Sequence, residues 1–215
     1  HYRLSTTIDL SGYSSKLPLG GNKEFSGSIV GTDDASIVGI NIKNVSATGN
    51  FGLFSSITGK IKNLTIKGYI NLQTGSVVGG LLASNLAIGA QLTNVTAYIS
   101  KSSIKAGANP VKFGGLVGEN NGTIEDMCVI YEDFMTISST SSEVRAGGIA
   151  AESTGKILGR KDVTSRFGIS AYSVYALIKV EDENGQFVTT GSVGAVASQQ
   201  TGGQILNILA GGELY

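Results

Sequence analysis

The chain of 215 residues is 41% hydrophobic and 15% charged, with 31 Gly, 2 Pro, one Cys and one His. It is too apolar for a disordered tail, and abundant Gly without a three-residue period or Pro excludes collagen. The 16 basic and 16 acidic residues balance, so no net electrostatic field favours nucleic-acid binding. A single Cys and a single His argue against a zinc site, an internal disulfide and a His-based catalytic triad.

A Gly-centred apolar block recurs from residue 51 onward. Its five copies lie at 51–54, 78–82, 113–117, 146–150 and 193–197. Each copy is followed 9 to 13 residues later by a second apolar block, led in turn by Ile61, Leu92, Ile124, Ile157 and Ile205. Five near-equal offsets indicate a repeat protein, in which each unit buries its apolar face against its neighbours.

The pattern inside a unit is typical of short strands. Segments rich in Ile, Val and Thr are separated by Gly, Asn and Ser, and no apolar stripe with a period of 3.6 residues persists. The sequence therefore predicts an all-β solenoid of about six coils, with parallel strands about 4.8 Å apart. We expect the five leading residues of the second block to stack in one column, with Leu64, Val95 and Met127 also inside.

The repeat motif resembles the GLUG repeat of bacterial surface and secreted proteins. The resemblance rests on the Gly-Gly-Leu-Val-Gly block at 114–118, on the Ile-x-Asn blocks, and on a lead-in at 2–31 with a Leu-Pro-Leu-Gly turn at 17–20. It implies a right-handed parallel β-helix on an exported protein, in adhesins or in accessory regions of metalloendopeptidases that cleave immunoglobulin A.

We expect one β-helix domain across residues 1–215. Within it, 1–50 would hold the N-terminal lead-in and first coil, and 51–158 the regular repeats. Residues 159–190 depart from the motif and are interpreted as a divergent insert, and 191–215 would form the last coil. The longest apolar run, 77–83, is far shorter than the roughly 20 residues of a membrane-spanning helix.

Polar residues recur at one position of the second block. They are Asn63, Asn94, Asp126 and Asn207. Asn and Asp tolerate tight turns and bond locally to backbone, so we expect a ladder of stacked side chains that stabilises a turn, rather than a metal or sugar site. Cys128 lies between Met127 and Val129 and is interpreted as a small buried hydrophobic residue.

Tyrosines are the candidate binding residues. If Ile66 and Ala97 face inward, strand alternation turns Tyr69 and Tyr98 outward on successive coils. Tyr172 and Tyr175 add aromatic side chains in the divergent segment. Each Tyr is also a good strand former, but together they predict a flat aromatic surface that suits sugar rings or a protein partner.

The leading functional hypothesis is a non-catalytic extracellular adhesion module at the cell surface, without a cofactor, a metal or catalytic residues. Its partner would be a polysaccharide or a host surface protein, and a cellulose-binding adhesin of the tāpirin kind is a more specific possibility. One alternative is a structural spacer or accessory domain of a secreted protease. Another is a polysaccharide lyase or hydrolase, which would need carboxylates from neighbouring coils beside Arg or Lys; adjacent acidic residues such as 181–183 point to opposite faces of a strand.

Overall fold

The computed structural model describes residues 1–13, 16–32, 35–45, 48–73, 75–159, 173–182, 184–187 and 191–215. Twenty-five strands form there. In chain order they are β1 (Tyr2–Leu4), β2 (Thr7–Asp9), β3 (Leu19–Phe25), β4 (Ser28–Gly31), β5 (Ser36–Ile42), β6 (Asn50–Phe51), β7 (Phe54–Ile57), β8 (Lys60–Gln73), β9 (Val77–Gly79), β10 (Ala83–Leu86), β11 (Gln91–Ile99), β12 (Ser102–Gly107), β13 (Val111–Gly114), β14 (Val117–Asn120), β15 (Thr123–Glu125), β16 (Cys128–Tyr131), β17 (Met135–Ser139), β18 (Val144–Gly147), β19 (Ala150–Ser153), β20 (Lys156–Leu158), β21 (Val174–Glu181), β22 (Ser192–Gly194), β23 (Ala197–Gln200), β24 (Gln204–Leu206) and β25 (Ala210–Leu214).

These strands form three sheets of 14, six and five strands. Every paired strand is parallel to its neighbour. A strand in one sheet leads into a strand of the next, and the chain returns to the first sheet one level higher. The protein is thus a parallel β-solenoid of about six coils, as the repeats predict.

The predicted column of apolar residues is confirmed, except that its last member is not buried. Backbone register places Ile61, Leu92, Ile124, Ile157 and Ile205 directly above one another in the 14-stranded sheet. The first four are fully buried, whereas Ile205, in the final coil, is 36% exposed. Leu64, Val95 and Met127 form a second buried column, since the chain turns just before them and points them back into the same core.

The turn that precedes this second column has an unusual backbone. Asn63, Asn94, Asp126 and Asn207 have φ angles of 54°, 52°, 53° and 56°, in the left-handed region. Asn and Asp enter that region more readily than other non-Gly residues because their short polar side chains bond locally. The amide of Asn94 bonds to that of Asn63, 3.1 Å away, so the predicted stack of polar side chains is present at these two coils.

The Gly-centred blocks form the five-stranded sheet and its corner. The glycines in register are Gly52, Gly80, Gly114, Gly147 and Gly194, because Gly79 pairs with Phe51 and Phe113. At the corner, Gly115 leaves room for an inward side chain from another sheet. A Cβ there would lie 2.5 Å from the hydroxyl of Tyr131, whose ring packs edge-on against Phe113 at 6.4 Å.

β21 lies inside the segment that departs from the repeat motif, yet it belongs to the solenoid. It pairs with β16 and β17 on one side and with β25 on the other. The chain then bends at Gly185, which has a φ of 75°, and Phe187 makes an antiparallel bridge to Glu181. No helix long and apolar enough to cross a membrane occurs in the described ranges.

Candidate functional site

One continuous surface, here called the outer face, is formed by the outward side chains of β12, β16, β17, β21 and β25, together with those of β8 after Asn63 and of β11 after Asn94. Burial alternates along β8, β11, β12, β17 and β21, so every second residue of these strands points away from the core. Because neighbouring strands are in register, outward residues also line up from coil to coil. The outer face is therefore a grid of side chains about 4.8 Å apart across the coils and about 6.7 Å apart along each strand.

One line of this grid is the tyrosine row, formed by Lys67, Tyr98, Ile130 and Tyr175 on four successive coils. Register pairs Tyr98 with Lys67 and Ile130, and pairs Ile130 with Tyr175. Both tyrosines are half-buried. Ile130, flanked by them, faces outward but is only 8% exposed, so the accessible surface of the row comes mainly from Lys67 and the two phenol rings.

A charged pair borders the tyrosine row. Lys67 Nζ lies 5.9 Å from the centre of the Tyr98 ring and 2.6 Å from a carboxylate oxygen of Glu132. The Ser100 hydroxyl donates to the other oxygen at 2.8 Å. The hydrogen bond from Lys67 is the main reason that the pKa of Glu132 is lowered, although partial burial opposes this shift.

Tyr69 follows Lys67 by two residues and therefore faces the same way, one step along the strand from the tyrosine row. It lines a cleft of about 390 Å³, here called the Tyr69 cleft. Most of its other lining residues are polar, among them Asn71, Lys101, Ser103 and Lys105, and Ile70 adds an apolar side chain. Tyr69 therefore lies beside a cleft with several polar side chains, whereas Tyr98 lies beside Ile130 in the tyrosine row.

Three of the four candidate tyrosines thus lie on one outward surface, as strand alternation predicts for Tyr69 and Tyr98. Tyr175 joins them because β21 is part of the solenoid. Tyr172 lies outside the described residues.

Sequence reasoning missed a second aromatic cluster beside the outer face. The ring of Tyr215 stacks on Phe187 with centres 5.2 Å apart, and it lies 6.1 Å from that of Phe134. Phe187 and Tyr215 are 61% and 51% exposed. These residues come from a loop, a bend and the end of β25, so nothing in their sequence spacing signals that they meet.

Sequence reasoning also missed a charged groove between the other two sheets. Glu119 and Glu152 occupy adjacent coils in register, and Lys112 reaches both carboxylates at 2.7 and 3.0 Å. Arg145 pairs with Glu152 as well. The sequence shows no set of carboxylates with basic partners from neighbouring coils, but the structure assembles one. Three of its members, Glu119, Arg145 and Glu152, line a groove of about 240 Å³.

The charges in this groove cancel. Two carboxylates face two cations, and Lys112 engages both acids, so the set links β13, β14, β18 and β19 across two coils. Lys112, Glu119 and Glu152 are separated by 7, 33 and 40 residues in the sequence. These separations indicate spatial proximity only if the length of each coil is known.

Within the described ranges, no three His, Cys, Asp or Glu side chains group as a metal site. Cys128 is 3% exposed, in agreement with its interpretation as a small buried residue. Comparison of this chain with protein-family models, with curated proteins and with solved structures finds no match.

Proposed function

We propose that this protein is a non-catalytic extracellular binding module of the GLUG-repeat kind, which attaches a cell surface to a polysaccharide through the outer face. The tyrosine row is the observation that carries the proposal. Tyr98 and Tyr175 lie two coils apart, about 9.6 Å, with the apolar side chain of Ile130 between them. Phenol rings combine apolar area with a polar tip, and they lose little rotamer freedom on binding.

The geometry of the row suits an extended sugar chain that runs across the coils. Rings in such a chain repeat at nearly the spacing of the coils, so every second ring of the ligand would meet a tyrosine. Two outward positions along the strands from the row, about 13 Å away, Asn71, Ser103 and Thr136 stand in register on three coils. Their amide and hydroxyl groups would accept and donate hydrogen bonds to sugar hydroxyls.

The acidic residues of the outer face favour binding over catalysis. Glu132 is held by Lys67, and Glu181 by Lys179 at 3.0 Å. A glycosidase needs one carboxylic acid and one carboxylate on either side of the bond that breaks. Here Glu132 and Glu181 are each engaged by a lysine of the same surface, and Glu213 accepts a hydrogen bond from the Tyr215 hydroxyl at 2.9 Å.

The test is a pair of substitutions in the tyrosine row. Tyr98→Ala/Tyr175→Ala should lose most binding to insoluble polysaccharide, since each aromatic anchor of this kind contributes about 2 kcal/mol or more. Tyr13→Ala is the matched control, because Tyr13 is 55% exposed but lies near the N-terminal end. Circular dichroism of all variants establishes that the fold is retained.

Equal binding by the parent and the folded double variant would exclude the tyrosine row. If the parent binds neither a polysaccharide nor a host surface protein, the adhesion proposal fails, and a spacer in a larger secreted protein becomes the better hypothesis.

The charged groove supports a second candidate, a polysaccharide hydrolase or lyase. Glu119 and Glu152 on adjacent coils, with Lys112 and Arg145 beside them, are the side chains that such chemistry would use. Release of soluble sugar from a polysaccharide, abolished by Glu152→Gln and retained in Glu143→Gln, would establish this activity. Binding without product release favours the adhesion module.

A further inference from the structure

The lysines of the outer face fall into two groups. Lys67 and Lys179 are paired with Glu132 and Glu181. Lys101 and Lys105 are exposed, and neither makes an ion pair with any residue that the structure describes. The unpaired lysines are therefore concentrated on one part of the surface.

That part is the Tyr69 cleft. Lys101 and Lys105 both line it, four residues apart along the chain and so about 13 Å apart in an extended strand. Ser103, between them, donates a hydrogen bond to Asn71 on the preceding coil at 3.4 Å. Glu181 is the acidic residue among the lining side chains, and Lys179 already neutralises it, so the cleft has an excess of two positive charges.

A neutral sugar would require none of this charge. A stacking surface, several hydroxyl and amide groups and two free ammonium groups together match a sugar ring that carries a carboxylate or a sulfate. Tyr69 would contact the face of the ring, and Asn71, Ser103 and Thr136 its hydroxyls. The lysines would contact the acidic substituent and that of a neighbouring unit.

We propose that the Tyr69 cleft binds the acidic units of an anionic polysaccharide. The inference rests on the proposed function and adds the chemical class of the ligand. A nucleic acid is less suitable, because the chain has no net positive charge and the two free lysines occupy a single cleft rather than a long basic stripe.

The experiment compares two ligand pairs and two matched variants. Polygalacturonate is set against its methyl ester, and dextran sulfate against dextran, so that carboxylate and sulfate are tested separately. Lys101→Gln/Lys105→Gln removes the free charges of the cleft. Lys60→Gln/Lys62→Gln removes the same charge from two exposed lysines of β8 that precede the Asn63 turn, outside the outer face.

We expect the parent to bind at least one acidic ligand more tightly than its neutral counterpart, and less tightly as salt is added. Lys101→Gln/Lys105→Gln should weaken acidic binding about 5- to 30-fold, from two exposed ion pairs. Binding to the neutral ligand should be unaffected, and Lys60→Gln/Lys62→Gln should behave as the parent does.

Four outcomes would overturn the inference. Equal loss in both lysine variants would show a general charge effect, and preference for single-stranded DNA over every glycan would show another class of ligand. Equal binding of acidic and neutral glycans, still lost in Tyr98→Ala/Tyr175→Ala, would overturn the inference and leave the proposed function intact. Absence of any glycan binding by the parent would contradict both.

Discussion

Asn94 donates a hydrogen bond from its side-chain amide to that of Asn63 on the preceding coil, over 3.1 Å. Both residues have left-handed backbone conformations. The same residue type therefore serves two purposes at this turn. It tolerates a positive φ, and its side chain connects one coil to the next.

Asn94→Ala should destabilise the protein by about 1–2 kcal/mol, the cost of a left-handed conformation for a residue with a Cβ and no local polar group. Asn94→Gly removes the same hydrogen bond but accepts the conformation freely, so it should cost less. Urea unfolding of the parent and both variants measures the order. A Gly variant as unstable as the Ala variant would show that the side-chain hydrogen bond, and not the backbone, governs the turn.

Leu64→Ala should cost about 2–5 kcal/mol, because Leu64 is 2% exposed and its truncation leaves a cavity in the second buried column. Leu206→Ala is the control. Leu206 is 49% exposed on the final coil, so its loss should change the free energy of unfolding by no more than about 0.5 kcal/mol.

Hydrogen exchange should show that the damage from Leu64→Ala is greatest in β5, β8 and β11, since each coil of a solenoid contacts only its neighbours. Equal loss of protection in β19 and β20 would indicate that the whole stack unfolds as one cooperative unit.

Tyr131→Phe should lower stability by about 1 kcal/mol at neutral pH. The Tyr131 hydroxyl donates to the carbonyl of Gly148 at 3.2 Å, and buried carbonyls without a donor are costly. Burial also raises the pKa of Tyr131 well above its ordinary value. The folded state thus keeps the proton that the unfolded state releases above about pH 10, so the parent should lose stability more steeply than the variant as pH rises past that point.

Absorbance titration provides the check. Parent and Tyr131→Phe should show the same phenolate signal until the protein unfolds in base. An additional tyrosine that ionises in the folded parent would contradict the buried, neutral assignment.

Glu132→Gln should lower stability at neutral pH by at most about 1 kcal/mol, because both members of its pair with Lys67 are more than a third exposed and the attraction is screened by solvent. Since the pKa of Glu132 is lowered in the folded state, the contribution is complete above the ordinary pKa of Glu. It disappears as pH falls through the folded-state pKa.

Unfolding in urea at pH 7 and pH 3 tests this dependence. The difference between parent and Glu132→Gln should be smaller at pH 3. Glu143→Gln, which removes an exposed carboxylate without an ion pair among the described residues, should show no comparable change.

The fold could be predicted because equivalent positions of successive repeats align in the sequence, and this alignment gives the register of the strands between coils. Once Ile61 and Leu92 were aligned, the buried columns and the outward direction of Tyr69 and Tyr98 followed from alternation. The recurring Asn and Asp residues indicated the turn, but its left-handed backbone is known only from the structure. The position of β21 did not follow, because its sequence lacks the Gly-centred and Ile-x-Asn blocks. Alternation of buried and outward residues from Val174 to Val180 was its signal, and that pattern specifies a strand without specifying its partner.

Most of the surface chemistry was not predictable for a related reason. Ile130 lies in the tyrosine row, and Lys112 contacts Glu152, because of the particular lengths of the coils between them and their neighbours. Turns between strands vary from coil to coil, so the distance in sequence between outward neighbours varies too. The excess positive charge at Lys101 and Lys105 could not be predicted from a chain whose total charge is zero. It depends on which lysines form ion pairs with a carboxylate in the folded protein.

Because the strands of the outer face are in register, the length of this face across the coils increases in steps of one coil. Inserting one additional coil between β8 and β11 would lengthen the face by about 4.8 Å while leaving every existing turn unchanged. It would also separate Lys67 and Tyr69 from Tyr98 by one more level. Duplication of coils in a protein of this architecture can therefore change the length of its binding surface. The number of coils sets the shortest polymer that spans the surface, and each duplication increases that length by one coil spacing.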